Sequence, residues 1–217
     1  VEATAEKLVG TEIYLDIPTV TGTENLMMAA VLAEGTTIIR NAAREPEILA
    51  LAEVLNRMGA EIRGEGSSVI TIKGVSSLKP VSASIIPDRI EAGTFLVAGA
   101  MTGGKIKISG CRSDHLNAVI DKLSQAGAGI EVNSNWLNIS GSETINSTDL
   151  KTMPYPGFPT DMQAQFMVLM SVADGVSLIS ETVFENRFIH VSELKRMGAD
   201  IRRSEERRVG KECATGC

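Results

Sequence analysis

Within Phe158-Pro159-Thr160-Asp161-Met162-Gln163-Ala164-Gln165-Phe166, one carboxylate, Asp161, stands at the start of an otherwise apolar helical pattern. A carboxylate there reaches a substrate hydroxyl directly, and burial can raise its proton affinity, so general-base chemistry is open to it. Position alone also fits a plain helix-start acid, stabilising by about 0.3–1 kcal/mol through the dipole. Downstream, Glu185 and Arg187 flank Asn186 in Thr182–Phe188, again ahead of a helical pattern over Arg187–Arg196. A cation at a helix start opposes the dipole, which favours a ligand-driven reason for Arg187. Glu45-Pro46-Glu47 reads as first-turn acids around a proline at an allowed helical position.

Other reactive types form no constellation. Cys111, Cys213 and Cys217 have neither metal-ligand nor disulfide spacing, and His115 and His190 stand far apart, so metal chemistry is not expected. Gly64 and Gly66 read as a hairpin turn, because no lysine or helix follows at phosphate-loop spacing. Met27, Met28, Met162, Met167 and Met170 fall at helical spacing in apolar stretches and read as core.

The elements that must position these residues recur. Met58-Gly59-Ala60-Glu61-Ile62, Ala126-Gly127-Ala128-Gly129-Ile130 and Met197-Gly198-Ala199-Asp200-Ile201 are alike, with 68 and then 71 residues between their first glycines. Before each runs a half-apolar helical pattern, over 45–57, 114–125 and 187–196. Before that comes a strand-like segment, over 36–40, 105–109 and 176–180. More apolar helices at 24–33, 90–101 and 161–173 precede these strands, and alternating strands at 68–73 and 135–139 close the first two units. The fold class is α/β, in pseudo-repeated strand-helix-strand-helix-strand-strand units. Units this long exceed the usual solenoid repeat of roughly 20–45 residues, which favours compact pseudo-symmetric domains.

With 217 residues, 43% of them hydrophobic, the chain can fill sizeable cores. A formal charge of −6 argues against a nucleic-acid partner, and no apolar run reaches the roughly 20 residues that span a bilayer. A cytoplasmic enzyme or binding protein is expected. Leu78–Pro87, with two prolines and two serines, is the expected domain crossing: 1–87 belongs to one domain and 88–202 to a second. Residues 203–217 lack an apolar face and match the translation of a common sequencing adapter, so they read as a non-native tail.

On Ala33-Glu34-Gly35-Thr36-Thr37, Asn41–Ile48, Pro87–Phe95, Phe158–Phe166 and Glu181–Phe188, taken in order, the chain resembles the enolpyruvyl transferases over essentially all of 1–202. The resemblance implies two domains, each built from three repeated units as an inside-out α/β barrel, with substrate between them and this chain supplying part of each. Within the family, the Thr160–Gln165 context resembles the branch acting on a sugar nucleotide. The implied reaction is transfer of the enolpyruvyl group from phosphoenolpyruvate to the 3-hydroxyl of UDP-N-acetylglucosamine. It serves peptidoglycan synthesis, cell shape and division, and needs no metal or organic cofactor.

By that resemblance Asp161 removes the 3-hydroxyl proton, and the Val183 backbone contacts the sugar nucleotide. Arg187 forks onto the phosphoenolpyruvate carboxylate, and Ile17, Pro18, Thr19 and Val20 form the uridine-contacting turn. The family often has lysine where this chain has Ile17. Glu45, Glu47 and Glu185 match charged positions lining the interdomain cleft, and Asp88 with Arg89 falls at the hinge. The family's Lys-Asn pair, its mobile loop with a catalytic cysteine and its phosphate-binding arginines have no counterpart here, so the chain alone is expected to be inactive. Cys111 does not replace that cysteine, since its position after a strand fits a small buried thiol. Alternatives are the sister transferase acting on shikimate 3-phosphate, or a non-catalytic carbohydrate- or partner-binding repeat module.

Overall fold

A computed structural model describes residues 2, 4–184 and 186–203. Along the first unit run β1 (Glu12–Tyr14), α1 (Val20–Ala30), β2 (Thr36–Arg40), α2 (Pro46–Arg57), β3 (Glu61–Arg63) and β4 (Val69–Lys73), which is the expected order. The second holds α3 (Arg89–Met101), β5 (Lys105–Ser109), α4 (Asn117–Gln125), β6 (Gly129–Val132) and β7 (Trp136–Ser140). Its leading strand does not form, since residues 74–88 carry neither helix nor strand. A third begins with β8 (Leu150–Lys151), then α5 (Gln163–Met170), β9 (Ile179–Ser180) and α6 (His190–Arg196).

Pairing repeats with the elements. β2, β4 and β3 are antiparallel neighbours in the first sheet, and β5, β7 and β6 in the second. β1 joins β2 in parallel, and β8 joins β9 the same way. The period of two in Val69-Ile70-Thr71-Ile72 sends Ile70 and Ile72 to one face, where both are fully buried. Full burial of such side chains stabilises by about 1.5–3 kcal/mol each. Leu137 and Ile139 of β7 do the same in the second sheet. Helices α2, α4 and α6 each end at a glycine with φ near +100°, at Gly59, Gly127 and Gly198, a conformation that side chains with a Cβ adopt at a cost.

Most buried apolar residues fall into two clusters with no shared member. One is built from Met27 to Ile72 and the other from Ala92 to Met170. Met27, Met162, Met167 and Met170 lie in the core as expected, whereas Met28 is 46% exposed, because the next residue on α1 points away from the buried stripe. Between the clusters, α2 of the first meets the start of α3 and the loop around Tyr155.

Candidate active site

The Phe158–Phe166 stretch is held by its aromatic ends. Phe158 and Phe166 are buried with rings edge to face at 5.5 Å, and Met162 between them is fully buried. Pro159 stays extended, so the chain enters a tight 3-10 turn over Thr160–Met162 before α5 begins. The expected helix from 161 thus starts two residues later, and Asp161 sits on the turn with its side chain 54% exposed. Its carboxylate caps no helix; it accepts instead from Arg187 Nη2 at 2.6 Å.

Arg187 arrives from the other side of the parallel β8–β9 pair. That pairing lays Thr152 beside Ser180 and Thr182: Thr152 N donates to the Ser180 carbonyl at 3.0 Å, and Thr182 N to Thr152 Oγ1 at 2.9 Å. The chain then turns through 182–184, with Asn186 at φ +60°, and brings Arg187 back over the Thr160 turn. Arg187 Nη1 donates to Thr160 Oγ1 at 2.9 Å, and the guanidinium lies 5.2 Å from the Phe184 ring. Because α6 starts at His190, Arg187 precedes the helix and does not oppose its dipole; its side-chain partners fix it.

Glu181 supports both strips. Oε1 accepts from Val183 N, Phe184 N and Thr152 Oγ1, and Oε2 accepts from Thr160 Oγ1. Burial pushes its carboxyl up, but these four donors outweigh burial and leave it below the usual carboxylate range. The Val183 N–H is thereby engaged, so a ligand contact by that residue's backbone falls to its carbonyl. His190 is held below its ordinary value by burial and then by the charge of Arg187.

The other expected residues form a second polar group, at the meeting of the two cores. Asp88 is the N-cap of α3, accepting from Ile90 N at 2.7 Å and Glu91 N at 3.1 Å. Arg89, with its side chain 10% exposed, pairs with Glu47 at 3.0 Å and lies over the Tyr155 ring. Buried Glu45 accepts from Arg44 N at 2.9 Å and Tyr155 N at 3.4 Å. Burial, then the charges of Glu47 and Glu45, push up the carboxyl of Glu24 on α1. A cavity of about 20 Å³, room for one water-sized group, touches Arg89, His115, Tyr155 and Pro159, so the chain from Tyr155 to Pro159 links this seam to the Asp161 turn.

Thr19 caps α1, accepting from Gly22 N, while Ile17 is 69% exposed and Val20 opens the helix. The described hydrogen bonds of Thr19, from Gly22 and Thr23, stay within this helix start, and none of them reaches the Asp161 group. Glu185 and residues 204–217 lie outside the described residues. Cys111 is buried, its thiol pushed up by that burial, in keeping with a core role. Among the described residues no cluster of three His, Cys, Asp or Glu could hold a metal ion, and no helix is long and apolar enough to cross a membrane.

Sequence reasoning missed the roles of Thr152, Thr160, Glu181 and Glu24. The signal for Glu181 and Thr160 was their place inside the two motif stretches; nothing local marked Thr152 or Glu24.

Residues 1–214 match the family model described as EPSP synthase (3-phosphoshikimate 1-carboxyvinyltransferase). A UDP-N-acetylglucosamine 1-carboxyvinyltransferase of Desulfosudis oleivorans is 66% identical over 201 residues, 93% of this chain and 48% of that protein. One of the same name from Desulforapulum autotrophicum is 61% identical over 201 residues, again 93% and 48%. The chain therefore spans about half the length of these relatives. Among solved structures, the enolpyruvyl transferase NikO from Streptomyces tendae superposes with TM-score 0.80 at 24% identity, covering 88% of this chain and 48% of that one. EPSP synthase from Acinetobacter baumannii does so with TM-score 0.62 at 20% identity, covering 88% and 46%. The fold is accordingly that of the enolpyruvyl transferases, and the chain belongs to the EPSP synthase (3-phosphoshikimate 1-carboxyvinyltransferase) family.

Proposed function

We propose that this chain supplies the base-bearing part of a UDP-N-acetylglucosamine 1-carboxyvinyltransferase. The observation that carries the reading is the hydrogen-bonded row Glu181–Thr160–Arg187–Asp161, which holds a carboxylate 2.6 Å from a guanidinium on a half-exposed face. Asp161 takes the proton of the sugar's 3-hydroxyl as that oxygen bonds to the enolpyruvyl carbon, and phosphate leaves. Arg187 grips the carboxylate of phosphoenolpyruvate through its planar fork, which fixes the reacting carbon against the hydroxyl. The carbonyl of Val183 and the turn from Ile17 to Val20 contact the sugar nucleotide. Neither metal nor organic cofactor takes part.

Residues 1–87 and 88–202 are parts of two domains with substrate between them, a reading supported by the two separate apolar clusters. Glu45, Glu47, Asp88 and Arg89 then belong to the hinge side of the cleft, and Glu185 is a further cleft acid. The reaction belongs to the cytoplasm and to cell-wall precursor synthesis. The names of relatives 58–66% identical to this chain support that substrate choice.

The test completes the chain to the length of its relatives with the flanking segments of the Desulfosudis oleivorans protein. Phosphate release is then followed with phosphoenolpyruvate and either UDP-N-acetylglucosamine or shikimate 3-phosphate. Release with the sugar nucleotide, lost in Asp161→Ala, is expected. Turnover of shikimate 3-phosphate instead moves the chain to the sister reaction, and no turnover with either removes the reading. The 217-residue chain alone is expected to release no phosphate.

A further inference from the structure

Four donors converge on one carboxylate in this site, and it belongs to a residue with no role in the proposed chemistry. Glu181 Oε1 accepts from Thr152 Oγ1 at 2.8 Å, Val183 N at 2.8 Å and Phe184 N at 3.1 Å, while Oε2 accepts from Thr160 Oγ1 at 2.8 Å. An ionised carboxylate only accepts and a guanidinium only donates, so the hydroxyl between them has its direction fixed. Thr160 spends its one proton on Glu181 and turns a lone pair to Arg187 Nη1 at 2.9 Å. The other arm of the same guanidinium then meets Asp161. Thr152 is polarised likewise, giving its proton to Glu181 and accepting from Thr182 N.

From this geometry we infer that Glu181 is a positioning residue for the enolpyruvyl transfer, setting the Thr160 hydroxyl as an acceptor for Arg187 while holding the turn that carries Val183. The inference rests on the roles of Asp161 and Arg187 proposed above. One anchored Nη fixes the plane of the guanidinium, and a planar fork works only when its plane matches that of the anion it holds. The held-down proton affinity of Glu181 keeps its carboxylate ionised and acceptor-only at neutral pH.

Glu181→Gln separates the two tasks. Its carbonyl oxygen can take the Oε1 position, where three donors converge, and keep the 182–184 turn. Its amide nitrogen then donates to Thr160, whose proton is left without an acceptor in the row, because Arg187 has none to offer. In the completed protein, Glu181→Gln is expected to keep the melting temperature and the KM for UDP-N-acetylglucosamine close to wild type. Its kcat should fall roughly 10- to 100-fold, the scale of a misaligned reacting group. Thr160→Val should give a similar fall, and the double variant little more than either, because one change strands the Thr160 proton and so displaces that hydroxyl, the other removes the hydroxyl, and both act on the same row. A kcat for Glu181→Gln within about twofold of wild type, or losses that multiply in the double variant, overturns the inference while leaving the functional reading in place. A completed wild type that transfers nothing removes both.

Discussion

The carboxylate of Asp161 and the guanidinium of Arg187 are bonded to each other at 2.6 Å, although the proposed reaction needs each on a different substrate. In the proposed reaction a substrate carboxylate at Arg187 would compete for the Nη2 N–H that holds Asp161, coupling binding of the anion to release of the base. Asp161→Asn in the completed protein keeps the side-chain shape but removes the base, and kcat should fall by roughly 10²- to 10⁴-fold. Steady-state phosphate release measures this. A loss confined to KM would show that Asp161 binds and does not take the proton.

Arg89 is the most buried cation of the seam, and its ion-pair partner Glu47 already has one oxygen, Oε2, buried without a partner. Arg89→Met leaves that carboxylate unpaired and should cost about 1–3 kcal/mol in urea unfolding. Adding Glu47→Gln should recover part of the loss, since the stranded charge is gone. Purely additive losses in the double variant would show that the pair is not coupled.

His115 is held below its ordinary value of 6.5 chiefly by burial; Asp114 opposes this, Arg112 adds to it, Glu47 opposes it and Arg89 adds to it. The unfolded chain therefore takes up the proton first as pH falls. Stability from this group is full above the unfolded value and is lost as pH drops through the lower folded value. His190 shifts in the same direction. Melting temperature should drop between about pH 7.5 and pH 5, and drop less in His115→Gln. Equal drops in the two proteins would exclude His115 as a source.

Phe166 is fully buried and meets Phe158 edge to face, so the pair brackets the turn that presents Asp161. Phe166→Ala should cost about 3–5 kcal/mol, from lost burial and the cavity left behind. Ile85→Ala, at a position 91% exposed, should stay within about 0.5 kcal/mol and serves as the control. Denaturant midpoints at constant slope compare the two.

Periodicity made the two sheets legible. The spans 36–40 and 105–109 coincide with β2 and β5, and the glycine after each second helix marks its end. Such features repeat every two or four residues, so a single strand or turn of sequence carries the signal. Asp161 and Arg187 were legible as chemistry-bearing residues, but their partnership was not, because a bond across 26 residues has no local period. The same holds for Glu181, whose links to Thr160 and Thr152 span 21 and 29 residues. Asp88 illustrates the converse: its dominant bonds are to Ile90 and Glu91, so the sequence neighbourhood explains what the structure does with it.

The seam between the two cores is joined by a guanidinium, two glutamates and the face of a tyrosine. Mechanically, a joint of that make-up is a bearing and not a weld. Interlocked apolar side chains open voids when they slide, whereas the contacts of Arg89 to Glu47 and to the Tyr155 ring are electrostatic and fall off gradually with displacement. Glu47 is 38% exposed and Arg89 only 10%, so added salt should weaken this joint through its glutamate side while leaving the two apolar clusters untouched.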